Sequence, residues 1–178
     1  MPEFRVALSG DFRKADGSPT FPDFDLTPLM EARNVEMAFL DNASPLRPEQ
    51  LEEFDALILL AHRFDPTSVP VSGRLAVVAR FGVGYDTVDV PACTANDIAL
   101  VITPDGVRRP VAVSIITFML ALTGKMMVKD RLARMGPPGF AARGEHMGVG
   151  LVGKTLGSLG VGHIGAEMFR LAKPFDMN

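Results

Sequence analysis

The sequence predicts an α/β fold built on a doubly wound parallel sheet. Short, continuous apolar runs occur at 56–60, 75–79 and 99–102. Such runs fit strands that are buried on both faces of a parallel sheet. Segments with helical features lie between the strands, at about 29–33 and at 49–54, where Pro48 suits a first helical turn. Strands that alternate with short helices are typical of a doubly wound sheet.

The remaining elements divide the chain into two predicted domains, 1–104 and 105–178. The first domain also contains strands at 4–8 and 35–40. After Pro104 the pattern changes, and the expected elements are a long buried helix over 111–135, a Gly/Pro-rich loop over 136–150, a strand over 154–159 and a helix over 164–173.

Composition excludes several classes of protein. The 178 residues are 47% hydrophobic and 22% charged, an ordinary balance for a globular protein. A net charge of −3 provides no attraction to nucleic acid or to an anionic membrane. Cys93 is the single cysteine and no Cys/His cluster has metal-ligand spacing, so we expect no metal site and a cytoplasmic location. The N-terminus does not resemble a signal peptide, and the apolar run 111–122, interrupted by polar residues, predicts a buried helix rather than a membrane span.

Two stretches, 148–153 and 160–165, fit the pattern G-x-G-x-x-G. Only the second follows a predicted strand and opens a predicted helix, and the pattern indicates dinucleotide binding only in that setting. The alternative is a tight strand-to-helix turn that binds no ligand.

In the second stretch each glycine has a separate predicted role. Gly160 allows a tight turn, Gly162 lets the backbone approach a pyrophosphate, and Gly165 lets helix and strand pack closely. The free N–H groups at the helix start attract phosphate. The predicted cofactor-binding residues are Gly160, Gly162, His163, Ile164 and Gly165.

A second candidate site follows the 75–79 strand, in the sequence RFGVGYD at 80–86. Ligands bind at the carboxyl ends of strands in open α/β sheets. The glycines that flank Val83 expose its N–H and that of Gly84, which can form a small anion-binding nest. A plain turn is the alternative, and the residues alone do not decide between the two. His62 and Arg63 follow the 56–60 strand and are interpreted as solvated loop residues, with a substrate contact as the alternative.

Together these stretches resemble the D-isomer-specific 2-hydroxyacid dehydrogenase family. The resemblance is carried by LAVVARFGVGYDTVD at 75–89, Thr103-Pro104, GKTLGSLGVGHIG at 153–165 and KPFDM at 173–177. Their order and spacing fit the family from about Asp55 to the end of the chain.

The resemblance implies a flavodoxin-like substrate domain followed by the start of a Rossmann NAD-binding domain. Val83 and Gly84 would hold the carboxylate of a small 2-oxo or 2-hydroxy acid, and the Gly160 turn would hold NAD, or NADP in its place. The long helix would form a homodimer. The family's catalytic arginine, glutamate and histidine would lie beyond Asn178, so no catalytic residue is expected in this chain. The alternatives are a non-catalytic NAD-binding regulator and an inactive fragment.

Overall fold

A five-stranded sheet organises the first part of the chain. The structure, a computed structural model, describes residues 4–178, and its contacts separate two units, Met1–Pro104 and Asp105–Asn178. All strand pairs in the first unit are parallel, and the order is β2-β1-β3-β4-β5. The strands are β1 Phe4–Leu8, β2 Val35–Phe39, β3 Ala56–Leu59, β4 Val77–Arg80 and β5 Ala99–Ile102.

This strand order is that of a flavodoxin-like sheet, in which the direction of winding reverses between β1 and β3. The predicted doubly wound α/β fold is therefore confirmed. The central strand β3 is the most deeply buried, because three of its four residues are buried, and Leu57 and Leu59, which share one face of the sheet, are sealed from solvent. Leu46, Leu51, Phe64 and Val78 pack in the same apolar cluster.

The first unit has little helix. It contains α1 Thr27–Met30 and α2 Val90–Ala95, the second of which begins where the Asp89 carboxylate accepts a hydrogen bond from Ala92 N at 2.8 Å. The predicted helix over 49–54 is wrong: a single 3-10 turn, Pro48–Gln50, is followed by further turns. There the Gln50 side chain bonds to Arg47 N and Asp41 O, which ties this short turn to neighbouring backbone.

The second unit is helical. Its helices are α3 Pro104–Thr123, α4 Met126–Arg134, α5 Pro137–Ala142 and α6 His163–Ala172. The single long helix predicted over 111–135 is wrong, because the chain turns at Gly124-Lys125, where Lys125 adopts a left-handed conformation with φ of 52°. The predicted loop over 136–150 is also wrong in part, since two prolines occupy the first turn of α5.

The strand predicted over 154–159 is not formed as a strand in the structure. Its first residues nevertheless exchange backbone hydrogen bonds with the end of the chain. Leu156 N donates to Asn178 O at 2.8 Å, and Asn178 N donates to Lys154 O at 2.7 Å. In a parallel strand pair, a residue of one strand forms hydrogen bonds with the two residues on either side of its partner in the other strand. The segment thus makes one step of a parallel ladder, which is too little to define a strand.

The prediction that α3 is buried is wrong. Among its residues only Ala112 is buried, and Phe118 and Leu122 are 67% and 77% exposed. By length and composition alone α3 could cross a membrane, since its mean hydropathy is 1.4. Core helices of other proteins pass the same test. An exposed apolar helix of this size indicates a surface that another molecule or segment covers.

Candidate functional site

The carboxyl ends of the strands in the first unit bring four chain segments to one edge of the sheet. The segment after β4 is held most firmly. Gly82 N donates to Thr103 Oγ1 at 2.8 Å, and Thr103 N donates back to Gly82 O at 2.9 Å. Gly82 has φ of +141°, a conformation that favours glycine. The turn over 81–84 is therefore fixed to the residue that follows β5.

Val83 and Gly84, the predicted carboxylate-binding residues, lie on this turn. Val83 is half-buried and Gly84 is exposed. Among residues 4–178, no acceptor faces the backbone N–H of either residue. A Cβ built on Gly84 would approach only Asp86 Oδ2, at 3.6 Å, so the space beside it is open. Two unpaired N–H groups at a sheet edge can bind the oxygens of a carboxylate.

Arg80 supports this turn from within. Its Nη1 donates to the carbonyl oxygen of Phe81, and its Nε is buried without a hydrogen-bond partner in the described part of the chain. The guanidinium is thus engaged with the backbone of its own turn. The Phe81 ring lies against the rings of Phe12 and Phe24, at centroid distances of 5.4 and 4.8 Å, and this aromatic packing anchors the turn from the other side.

The same edge contains a polar cluster that the sequence analysis missed. Ser9 and Asp11 follow β1, and His62 follows β3. Interpreting His62 as a solvated loop residue is wrong, because it is only 8% exposed, whereas Arg63 is exposed as expected. His62 Nδ1 lies 3.8 Å from Asp11 Oδ1. No local pattern could have revealed the pair, since 51 residues separate its members.

In the second unit, the glycine turn over 160–165 leads directly into α6. Gly160 has φ of +86°, which suits its predicted role in the tight turn. A Cβ on Gly165 would lie 3.1 Å from Gly160 O, so the absence of a side chain there permits close packing. A Cβ on Gly162 would meet nothing within 4 Å. The backbone is therefore open at the position predicted to face a pyrophosphate.

The first turn of α6 has N–H groups available for a ligand. His163 and Ile164 are its first two residues, and Gly162, at the N-cap, provides no side-chain hydrogen bond. Ala166 N is satisfied by Gly162 O at 2.9 Å, which leaves the preceding donors pointing out of the helix. Such a helix start attracts an anion through its N–H groups and the helix dipole.

An ion-pair cluster holds α6 to α3. Glu167 accepts hydrogen bonds from Arg170 and from Arg109 Nη1, the latter at 2.6 Å. Arg170 and then Arg109 lower the pKa of the Glu167 carboxyl to about 2. The charged form is therefore present throughout the physiological pH range, and the cluster fixes the orientation of the helix that follows the glycine turn.

The competing glycine stretch over 148–153 has a structural explanation. A Cβ on Gly148 would lie 2.8 Å from Thr123 O, and Val149 N donates to the same oxygen at 2.8 Å. The stretch packs against the end of α3, and no helix begins at Gly153. It lacks the strand–turn–helix setting that dinucleotide binding requires.

A protein-family model of the catalytic domain of D-isomer specific 2-hydroxyacid dehydrogenases matches residues 23–114, just over half of the chain. A glyoxylate reductase from Pyrococcus furiosus is 34% identical over 134 residues, 72% of this chain and 40% of that protein. A D-3-phosphoglycerate dehydrogenase from Archaeoglobus fulgidus is 30% identical over 130 residues, 72% of this chain and 24% of that protein. The chain thus spans less than half the length of these curated relatives, which are oxidoreductases.

Solved structures agree with this relationship. The TT0316 protein from Thermus thermophilus has a TM-score of 0.74 and 25% identity, and the match covers 98% of this chain and 54% of that one. A 2-hydroxyacid dehydrogenase from Ketogulonicigenium vulgare has a TM-score of 0.71 and 25% identity, with 99% of this chain and 53% of that one covered. The sequence motifs, the sheet order and the matched region agree, and the chain belongs to the D-isomer-specific 2-hydroxyacid dehydrogenase family.

Proposed function

We propose that the chain is the front part of an oxidoreductase that transfers a hydride between NAD, or NADP in its place, and a small 2-oxo or 2-hydroxy acid. In this proposal 1–104 is the substrate-binding domain and 105–178 is the beginning of the NAD-binding domain. The observation that carries it is the fixed turn over 81–84, which lies inside the region matched by the family model and presents two unpaired N–H groups.

The proposed substrate site recognises the carboxylate, the group that all 2-oxo and 2-hydroxy acids share. Val83 N and Gly84 N donate to the carboxylate, and the Gly82–Thr103 hydrogen bonds keep both donors in place before substrate arrives. Donors that are already ordered lose little conformational freedom on binding. Because both donors belong to the backbone, the site distinguishes the carboxylate but leaves the rest of the substrate to other contacts.

The residues of the glycine turn fit a dinucleotide. Gly162 has open space where a pyrophosphate would approach, and His163 and Ile164 contribute N–H groups at the start of α6. When bound, the nicotinamide supplies or accepts the hydride. Support at the level of the fold comes from two neighbours, an NAD⁺-bound 3-phosphoglycerate dehydrogenase from Entamoeba histolytica and an NAD-dependent formate dehydrogenase from Staphylococcus aureus. No residue of this chain is assigned the family's catalytic roles.

The exposed apolar face of α3 supports the proposal of a homodimer. Phe118 and Leu122 would be covered by the same helix of a second copy, with burial of each large side chain stabilising the pair by about 1.5–3 kcal/mol. We expect Phe118→Asp to convert a dimer into a monomer in sedimentation velocity experiments. A wild-type chain that sediments as a monomer at all concentrations would contradict this part of the proposal.

A direct test of the proposed function uses residues 1–178 with NADH. We expect weak NADH binding by fluorescence titration and no loss of NADH absorbance above background with glyoxylate, hydroxypyruvate or pyruvate. The reason is that the charged clamp and the acid/base group, each worth orders of magnitude in rate, are not assigned to this chain. Turnover that disappears in His62→Ala would show that the chemistry is performed here. Absence of NADH binding would contradict the cofactor assignment.

A further inference from the structure

A cavity of about 380 Å³ lies in the first unit, between the segment 12–30 and the last residues of β2. Small-molecule sites in proteins typically enclose roughly 300–1,000 Å³ and have mostly apolar and aromatic walls with few polar groups. The side chains that line this cavity are apolar with one exception, Arg13. The largest of them are four phenylalanines, Phe12, Phe21, Phe24 and Phe39. In size and composition the cavity therefore matches a site for a small molecule.

The cavity arises because the connection from β1 to β2 contains little helix. A crossover between neighbouring parallel strands usually contains a helix that packs on the sheet. In residues 9–34 the helical part consists of one 3-10 turn and α1, which is four residues long, and all five residues of β2 remain at least partly accessible to solvent. Lys14 N donates to Ser18 O at 2.8 Å, and Thr20 N donates to Phe12 O at 2.9 Å. These bonds order the connection, so the cavity is formed before a ligand arrives.

Arg13 provides the charge on the cavity wall. Its guanidinium carbon lies 3.9 Å from the centre of the Phe39 ring, which holds the group against the wall. Among the described residues it has no carboxylate partner. The acidic residues of the same connection, Asp16, Asp23 and Asp25, do not line the cavity. The guanidinium donors are therefore available to an anion.

The phenylalanine rings of the cavity wall also contact Phe81, the first residue of the turn over 81–84. The centroid distances to Phe81 are 5.4 Å for Phe12, 5.6 Å for Phe21 and 4.8 Å for Phe24. Phe12 and Phe24 stack on each other at 5.1 Å. Distances of this size are those of aromatic pairs in direct contact. The rings thus form a continuous contact between the cavity wall and the turn.

We propose that this cavity binds a small aromatic carboxylate, with the ring of the ligand against the phenylalanines and its carboxylate on Arg13. A guanidinium matches the geometry of a carboxylate, and an aromatic ring buries apolar area and packs well on other rings. An aromatic cation fits less well, because the guanidinium repels it.

An occupant also restrains the rings that contact Phe81. Ordering a cluster that two sites share lets the first ligand bear part of the entropic cost of binding the second. The aromatic acid therefore tightens binding of a 2-oxo acid at Val83 and Gly84. This coupling rests on the proposed carboxylate site at that turn, whereas binding in the cavity does not.

The test of binding uses 2-naphthoate and its neutral analogue 2-naphthamide. Each is titrated into the chain labelled with ¹³C at the methionine methyl groups, and the signals are followed by NMR. Met30 and Met37 line the cavity, whereas Met126 and Met127 lie on α4 in the second unit. We expect 2-naphthoate to move the first two signals and not the other two. It should bind about fivefold more tightly than 2-naphthamide, the effect of one exposed ion pair.

Variants of Arg13 test the role of its charge. Arg13→Met keeps an apolar stem against Phe39 and should reduce the affinity ratio of the two compounds to about one. Arg13→Lys keeps the charge without the planar fork and should retain part of the ratio. Arg143→Met is the matched control, because Arg143 also stacks on a ring, that of Phe140, at 3.7 Å, but its Nη1 donates to Phe140 O at 2.6 Å. It should leave the ratio unchanged.

The coupling is tested by titrating the ¹⁵N-labelled chain with pyruvate, with and without saturating 2-naphthoate. We expect 2-naphthoate to tighten pyruvate binding, measured at the Val83 and Gly84 amides, by about threefold, and pyruvate to tighten 2-naphthoate binding by the same factor. Phe81→Leu removes the ring that joins the two places but does not alter the cavity wall. It should preserve 2-naphthoate binding and abolish its effect on pyruvate.

The outcomes separate the cavity site from the coupling and from the proposed function. Unmoved Met30 and Met37 signals, equal affinities for the two compounds, or loss of binding in Arg143→Met alone would overturn the cavity site. Pyruvate affinity that is unchanged or lowered by bound 2-naphthoate would overturn the coupling and leave the cavity site intact. Absence of pyruvate shifts at Val83 and Gly84 would contradict the carboxylate site, while the methionine signals would still decide whether the cavity binds.

Discussion

Gly162→Val should weaken NAD binding about 100-fold or more, whereas Gly150→Val should leave it nearly unchanged. The expected loss is large because a valine side chain would occupy the space through which a pyrophosphate approaches the N–H groups of α6. Each hydrogen bond to a charged group contributes about 1.5–3 kcal/mol, so losing one or two of them accounts for this factor. Isothermal titration calorimetry with NAD⁺ measures both affinities in a chain extended to full length, since residues 1–178 are expected to bind the cofactor only weakly.

The two variants form a matched pair. A Cβ on either glycine meets nothing within 4 Å, and Gly162 has φ of −84°, so neither change disturbs packing. Equal unfolding temperatures would confirm that both variants fold. The reverse result, with binding lost only in Gly150→Val, would place the cofactor at the 148–153 stretch and overturn the assignment made here.

Gly84→Val should weaken binding of 2-oxo acids at least tenfold while NAD affinity changes little. The added side chain would lie over the donor that the carboxylate needs, and a lost charge-assisted hydrogen bond is worth about 1.5–3 kcal/mol. The backbone tolerates the change, since Gly84 does not have a positive φ and its Cβ would approach only Asp86 Oδ2, at 3.6 Å. Affinity for pyruvate, followed by NMR titration, is the measurement.

The choice of position matters for this experiment. Gly82 is unsuitable, because its φ of +141° and the adjacent Arg80 guanidinium would cause any side chain to disrupt the turn. Gly144→Val, at an open glycine in the second unit, is the control and should bind pyruvate normally. If Gly84→Val reduces pyruvate and NAD affinity equally, general misfolding explains the result and the carboxylate role is contradicted.

The sheet could be predicted because its signal is local. Strands such as Ala56–Leu59 and Ala99–Ile102 are short apolar runs bounded by polar residues. Burial on both faces of a parallel sheet accounts for the pattern of Ala56–Leu59, whereas Ala99–Ile102 is an edge strand in which Val101 is 47% exposed. The 154–159 segment has a similar sequence pattern, but a strand also needs a partner strand along its length. Within residues 4–178 only Asn178 pairs with it, so no strand is formed there.

The errors in the predicted helices arise where the sequence pattern does not show the backbone conformation of single residues. The apolar pattern of 111–135 continues through Gly124 and Lys125, whereas the backbone turns there through a left-handed residue that hydrophobic periodicity does not register. In α5, Gly and Pro residues suggested a loop, although prolines at a first helical turn are compatible with a helix. Backbone conformation at single residues decided both cases.

The candidate sites also differ in whether the sequence carries a local signal for them. Gly160, Gly162 and Gly165 could be identified because each glycine has a separate steric role within six residues. The Asp11–His62 pair could not, because its members follow different strands and only the parallel sheet brings them to one edge. Long-range contacts of this kind carry no signal in residue spacing.

One measurement tests the central claim, that the chain carries a carboxylate site and a separate dinucleotide site. The ¹⁵N-labelled chain is titrated with pyruvate and, separately, with NAD⁺, and backbone amide shifts are mapped. We predict that pyruvate moves the signals of Val83 and Gly84 and that NAD⁺ moves those of Gly162, His163 and Ile164. Shifts from NAD⁺ confined to 148–153, or the absence of any shift at Val83 and Gly84 with pyruvate, would contradict the account.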